Sequence, residues 1–242
     1  MDTQNARCAE GSEIMRVLHA CFAIWTLSLC CSAVAEDKGA KGELPMAFKE
    51  GFEKGSSHWE MTDEKVWRVV EDEGDASLAL TGSSDYTPPV RSPLNIARVK
   101  DLDVTDFVAD FQVKQTGREY GHRDLCFFFG YQDASHFYYA HLATKADEHA
   151  NSIFLVNGAP RVSIAKERTQ GTTWDDKYHH VRVKRDAASG RIEVYFDDME
   201  KPVMVAEDKT FLHGGIGVGS FDDVGNFDDV TVTGKAVEAK KE

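Results

Sequence analysis

Cysteine is scarce in this chain of 242 residues, and four of the five (Cys8, Cys21, Cys30 and Cys31) fall within the first 35 positions. Beyond them only Cys126 remains, which excludes a disulfide framework within one copy of the chain. Amphipathic runs of 3.6-residue period are also missing beyond about two turns, so a helical bundle is not expected. The one long apolar run, Val17 to Leu29, is too short for a stable membrane span. Positive charge is outweighed, with 28 Lys and Arg against 41 Asp and Glu, a net charge of −13. Such a surface repels phosphate backbones and anionic lipid, so neither nucleic acid nor a membrane surface is expected as a partner. No G-x-S-x-G, P-loop or H-E-x-x-H motif is present. The run His213 to Gly219 has alternating glycines but no strand–helix context, so it reads as close backbone packing and not as a nucleotide fingerprint.

What the sequence does contain begins with an export pattern. Met15-Arg16 is a short cationic start, Val17 to Leu29 the apolar stretch, and Ala33-Val34-Ala35 supplies the small residues signal peptidase needs. Residues 1–35 are therefore read as a signal peptide. Asp2, Glu10 and Glu13 are out of place ahead of such a signal and point to Met15 as the true start. Lipidation at Cys30 or Cys31 is disfavoured because Leu29 is not small. Cleavage moves the net charge only to −12, since Arg7 and Arg16 leave with the three acidic residues. A secreted or periplasmic protein is expected, with no membrane attachment after cleavage. Residues 36–45 read as a flexible lead-in, 46–234 as one folded domain, and 235–242 as a charged tail.

Within the domain, short alternating apolar runs punctuated by Gly, Asn, Asp and Pro mark an antiparallel β architecture. Residues 67–70 and 77–80 flank a turn. Asp106 to Val113 alternates, and Leu125 to Tyr131 is apolar on both faces, as a strand covered on one side by a second sheet should be. Ser152 to Val156 leads into Asn157-Gly158, a dipeptide favoured in type I′ hairpin turns, before Arg161 to Ala165 returns. The clearest hairpin joins His179–Lys184 to Arg191–Phe196, with Val181, Val183, Ile192, Val194 and Phe196 on one face. Roughly a dozen strands are too many for one open sheet, so two stacked sheets are predicted.

The stretch Trp174 to Asp198 (WDDKYHHVRVKRDAASGRIEVYFDD) resembles the hairpin of laminin G-like and related concanavalin A-like domains. Gly215 to Val232 is similar to the closing strands of that superfamily, and Phe48 to Glu53 with Trp59 and Trp67 to its first strands. The resemblance implies an all-β fold, a two-sheet antiparallel jelly-roll sandwich, with a sheet face that carries carbohydrate. Within the superfamily the chain looks like 3-keto-disaccharide hydrolase-type domains and family 16 glucanases. The family 16 motif E-x-D-x-x-E is absent, and the run Glu193 to Glu200 has the wrong spacing to replace it.

The densest candidate site is Tyr120 to Asp124 followed by Tyr131 to Ala150. Aromatic rings can stack on the C–H faces of sugars while charged groups pair with hydroxyls, so Tyr120, Arg123, Asp124, Tyr131, Tyr139, His141 and His149 are the expected ligand contacts. Tyr139 and His141 share one face of a strand with Phe137. His141, Asp147 and His149 are also weighed as ligands of a divalent metal. A structural calcium, as in related sandwiches, is expected at Glu53 with Asp228 or Asp229 if the first and last strands pair. The expected partner is an oligo- or polysaccharide. A glycoside-cleaving hydrolase and a non-catalytic protein-interaction module are the alternatives.

Overall fold

The computed structural model describes residues 43–237 apart from residue 73. The signal peptide, most of the lead-in and the end of the tail lie outside the described residues. Two antiparallel sheets stack face to face, as the count of strands requires.

The nine-stranded sheet runs in the order β11 (Ala165–Arg168), β14 (Met204–Glu207), β13 (Arg191–Phe196), β12 (His179–Asp186), β6 (Val104–Gln115), β16 (Gly225–Ala236), β4 (Asp75–Leu80) and β3 (Trp67–Asp72). Its ninth strand, β1 (Met46–Glu50), pairs with β16 beyond the end of β4, placing Glu50 opposite Val230. The seven-stranded sheet runs β10 (Val162–Ser163), β9 (Ser152–Asn157), β8 (His136–Ala143), β7 (Asp124–Asp133), β15 (Gly215–Ser220), β5 (Asn95–Val99) and β2 (Trp59–Met61). In both sheets a strand from the end of the chain lies between strands from its first and middle parts. Among the described residues, no helix is long and apolar enough to cross a membrane.

Between the sheets lies one large core. Phe111 stacks on Phe127 with centroids 5.0 Å apart, and Phe107 meets Phe129 edge-on at 5.8 Å. Each such ring, fully buried, contributes roughly 1.5–3 kcal/mol of apolar burial. The hairpin of β12 and β13 forms in the expected register, Val183 opposite Val194, with its apolar face in this core. At its open end Trp174, His179 and Phe196 pack edge to face and face to face, and His179 Nδ1 lies 2.8 Å from Asp197 Oδ2. The tryptophan and histidine behind the resemblance therefore close one end of the sandwich.

Two expectations are corrected. The chain turns after β9 through a longer loop, with Leu155 opposite Val162, and only Gly158 takes a positive φ (66°), so the two-residue type I′ turn does not form. The tail expected from 235 is also shorter, because β16 continues to Ala236 and the Val237 amide donates to Asp103 O. The Lys235 ammonium also reaches Asp106 Oδ2 at 2.6 Å.

Candidate functional site

The second face of the seven-stranded sheet points away from the core, and most of the expected ligand residues converge on it. From β8 come Phe137, Tyr139 and His141, as their shared parity requires, while Tyr138 and Ala140 turn into the main core. From β7 come Asp124, Cys126 and Phe128. Cys126, Phe128, Phe137 and Tyr139 make a second apolar cluster with Phe154, Val156 and Ile96. Its upper surface is not open. The 81–94 connection lays Val90 on it, and the Arg161 amide donates to Arg91 O. Arg161 lies over Phe154 and Phe221, donates to the Tyr139 hydroxyl at 2.7 Å and reaches His149 O at 2.9 Å.

Covering of this kind separates the expected residues into three groups. Tyr139 (0% exposed), His141 (3%) and Asp124 (0%) have no surface to offer a sugar. Arg123 is buried too and donates to Trp174 O, at the end of the sandwich. Tyr120 lies at the rim with its hydroxyl 2.6 Å from Asp223 Oδ2, and His149 is exposed beside Glu148. Only Tyr131 lines an open cleft.

A local irregularity puts Tyr131 there. Strict alternation along β7 would carry it inward with Phe127 and Phe129. Gly130, with φ of 58°, forms a bulge against β15 that adds one residue and turns Tyr131 to the outer face. Its ring stacks on Phe137 at 5.3 Å, and the Arg98 guanidinium sits 4.5 Å from its centroid. The intervening β15 makes this reach possible. Ile216 and Val218 point into the core, so Gly217 and Gly219 face outward and leave the space over the strand to larger neighbours. Arg98 also pairs with Glu60 directly across β5 and β2.

The cleft has a volume of about 190 Å³, with Glu60, Arg98 and Tyr131 on the sheet, Thr62 just beyond β2 and Tyr86 from the 81–94 connection. Burial pushes the Tyr131 phenol up to about 12, which keeps it a neutral donor at any physiological pH. Burial raises Tyr86 in the same direction. Glu60, Thr62, Tyr86 and Arg98 were not foreseen. The alternation of Arg98 with Ala97 and Val99 shows an outward arginine, but nothing local to residues 59–98 shows that β7 lies two strands away.

The two metal expectations fare differently. The first and last strands do pair, and Glu53 is close enough to raise Asp228 electrostatically, after burial and the nearer Asp229 and Asp75; the Asp228 carboxyl stands at about 6. Among the described residues, however, the side chains whose ligand atoms converge within 4.8 Å are Asp124 with Cys126 and His141, and Asp124 with Asp222 and Asp223. Neither Glu53, Asp228 and Asp229 nor His141, Asp147 and His149 form such a set. Asp147 instead takes the His122 ring and the His149 amide.

These features define a concanavalin A-like β-sandwich. No family model matches the chain, and no curated protein matches it. Solved structures share the fold. The carbohydrate-binding module CBM66 from Bacillus subtilis superposes with a TM-score of 0.53 at 17% identity, covering 74% of this chain and 96% of that one. Domain 4 of AbnA, a GH43 extracellular arabinanase from Geobacillus stearothermophilus solved with arabinotriose, gives 0.53 at 11% identity, over 81% and 95%. The winged bean acidic lectin complexed with methyl-α-D-galactose gives 0.52 at 12% identity, over 78% and 97%.

Proposed function

We propose that the protein is an exported carbohydrate-binding sandwich whose ligand enters the cleft of Glu60, Tyr86, Arg98 and Tyr131. The observation that carries this reading is the cleft's donor and acceptor set on an aromatic floor. The Glu60 carboxylate accepts, the Arg98 guanidinium and Tyr131 hydroxyl donate, and neighbouring sugar hydroxyls need both. With Phe137 on one face of Tyr131 and Arg98 over the other, Tyr86 is the ring available to stack on sugar C–H groups. The volume is below the roughly 300–1,000 Å³ that encloses a drug-sized ligand, which suits one sugar ring or the end of a glycan chain. The fold shared with a carbohydrate-binding module and a lectin supports the same reading. Cleavage by paired carboxylates needs a second acid, and Glu60 is the one carboxylate lining the cleft. That favours binding over hydrolysis.

A glycan array probed with the full chain tests this proposal, followed by calorimetry on the strongest hit. Tyr86→Ala is expected to cost about 1–3 kcal/mol of binding, the scale of a lost aromatic anchor, and Tyr131→Phe about tenfold in Kd. Neither change should shift the melting temperature by more than a few degrees, because both groups border solvent. An array without oligo- or polysaccharide hits, or variants that bind like wild type, would refute the assignment.

Calcium at Glu53, Asp228 and Asp229 is a separate proposal with its own test. The folded-state pKa of Asp228 is raised above its unfolded value of 3.8, so its favourable contribution is present at low pH and lost as pH rises through about 6. Asp228→Asn is accordingly expected to raise the melting temperature at pH 7.5 and to leave it unchanged at pH 3.5. If calcium occupies the site, millimolar calcium will stabilise wild type at pH 7.5 and not the variant. Equal shifts in both proteins would locate the ion elsewhere.

A further inference from the structure

We propose that Asp124, Cys126 and His141 bind a thiophilic divalent cation of the zinc class on the covered face of the seven-stranded sheet. Cys126 stands directly opposite His141 across β7 and β8, and Asp124 precedes Cys126 by two residues on the same side. Cys126 Sγ lies 3.0 Å from Asp124 Oδ2, and His141 Nε2 lies 3.7 Å from Asp124 Oδ1. Each of the three offers a ligand atom within 4.8 Å of the other two. A tetrahedral zinc with bonds of about 2.0–2.3 Å holds its ligands roughly 3.3–3.8 Å apart. Small side-chain rotations therefore bring the three into a coordination shell.

A second observation points to the same place. Asp124 Oδ2 accepts from Cys126 Sγ, Ser220 Oγ and the Phe221 amide, whereas Oδ1 is fully buried without any hydrogen-bond partner. A bare carboxylate oxygen in the interior is destabilising, and this one faces the imidazole. The surroundings carry excess negative charge. Asp222 and Asp223 bring carboxylate oxygens within 4.8 Å of Asp124, while Arg161 acts as a cation on both Cys126 and His141 and His122 acts on His141. The Arg161 guanidinium is already engaged by the Tyr139 hydroxyl and His149 O. A thiolate and a carboxylate would neutralise a divalent ion, with the imidazole as third ligand and one position left for water. Burial raises the Cys126 thiol and the Asp124 carboxyl, so these two protons are displaced when a cation enters, whereas burial lowers His141 and leaves its imidazole neutral and ready to ligate. Ligation through Nε2 places the imidazole proton on Nδ1. That gives up the long contact from the Asn151 amide (3.4 Å), a weak bond beside a metal–ligand one.

The test uses the full chain with Cys8, Cys21, Cys30 and Cys31 replaced by serine, so that Cys126 is the only thiol. The protein is stripped with a chelator and refolded with cobalt(II) or zinc(II), so that burial does not limit entry. One equivalent of metal should remain after desalting. The cobalt form should show a near-ultraviolet thiolate-to-cobalt charge-transfer band and the strong visible bands of tetrahedral cobalt, both bleached by zinc. Cys126→Ser and His141→Gln should each weaken cobalt binding by about a hundredfold or more, since loss of an outer-shell partner alone costs 10–100-fold. A cobalt form without the charge-transfer band overturns the proposal, whether or not the variants fold. So does metal binding of unchanged affinity in folded Cys126→Ser.

Discussion

Replacing Tyr139 by alanine is expected to lower the free energy of unfolding by about 3–5 kcal/mol, the range for deleting a buried aromatic ring, while glycan binding at the cleft persists. The ring is fully buried, stacks on Phe154 at 5.2 Å and on Phe128 at 5.8 Å, and holds Arg161 through its hydroxyl. Removing it leaves a cavity under the 81–94 connection that Val90 is too small to fill. Tyr139→Phe separates the two contributions. It keeps the packing and loses one hydrogen bond, so roughly 0.5–1.5 kcal/mol should go. Denaturant unfolding measures both variants, and calorimetry below their melting temperatures measures binding. A Tyr139→Ala protein of wild-type stability that no longer binds glycan would place the ligand on this residue, against its complete burial.

The second large effect is expected at a residue with no side chain. A Cβ at Gly219 would come within 1.9 Å of Asn95 O and 3.2 Å of Phe128 Cε2. The first contact is with the backbone of the paired strand β5, which cannot rotate away. Gly219→Ala must therefore push β5 from β15, and a cost at or above the roughly 1–3 kcal/mol of ordinary overpacking follows. Gly82 is the control, because a Cβ there meets nothing nearer than Val66 Cγ1 at 3.7 Å. Thermal melts of Gly219→Ala and Gly82→Ala, run side by side, should show a large loss in the first and almost none in the second. A tolerated Gly219→Ala would mean that β5 and β15 are not paired in this register.

The contrast between these two glycines also shows what the sequence could and could not reveal. Period-two alternation identified β6, β8 and the β12–β13 hairpin, and with them the sandwich, because one buried face per strand imposes that pattern. It also placed Phe137, Tyr139 and His141 on one face. Alternation could not say whether that face was open. The answer lies in the 81–94 connection, whose Val90 and Tyr86 find their places through contacts with strands far away in the sequence. Tyr131 was named from the sequence as a ligand contact, but only the positive φ of Gly130 brings it out of the core. Glu60 and Arg98 were invisible for a third reason. They meet Tyr131 across β15, and the order β7-β15-β5-β2 depends on β15 reaching back to β7 and, more than a hundred positions away, to β5.

The same strand order governs how the chain can fold. Among the described strands β15 and β16 are the last to be synthesised, yet each bridges the two parts of its sheet. Before residues 215–236 are available, β2 with β5 and β3 with β4 can pair only with each other, and β6 to β14 form a separate block. Four sheet edges then stand exposed, among them β7 with its run of phenylalanines, and such edges template aggregation. Closure must wait for the carboxy-terminal strands to insert between preformed neighbours, a non-local step of the kind that makes β-sandwiches fold over milliseconds to seconds. A ribosome that stalls before residue 215 would thus release each of the two sheets in two pieces with nothing to join them, and a holdase chaperone would find its substrate at β7.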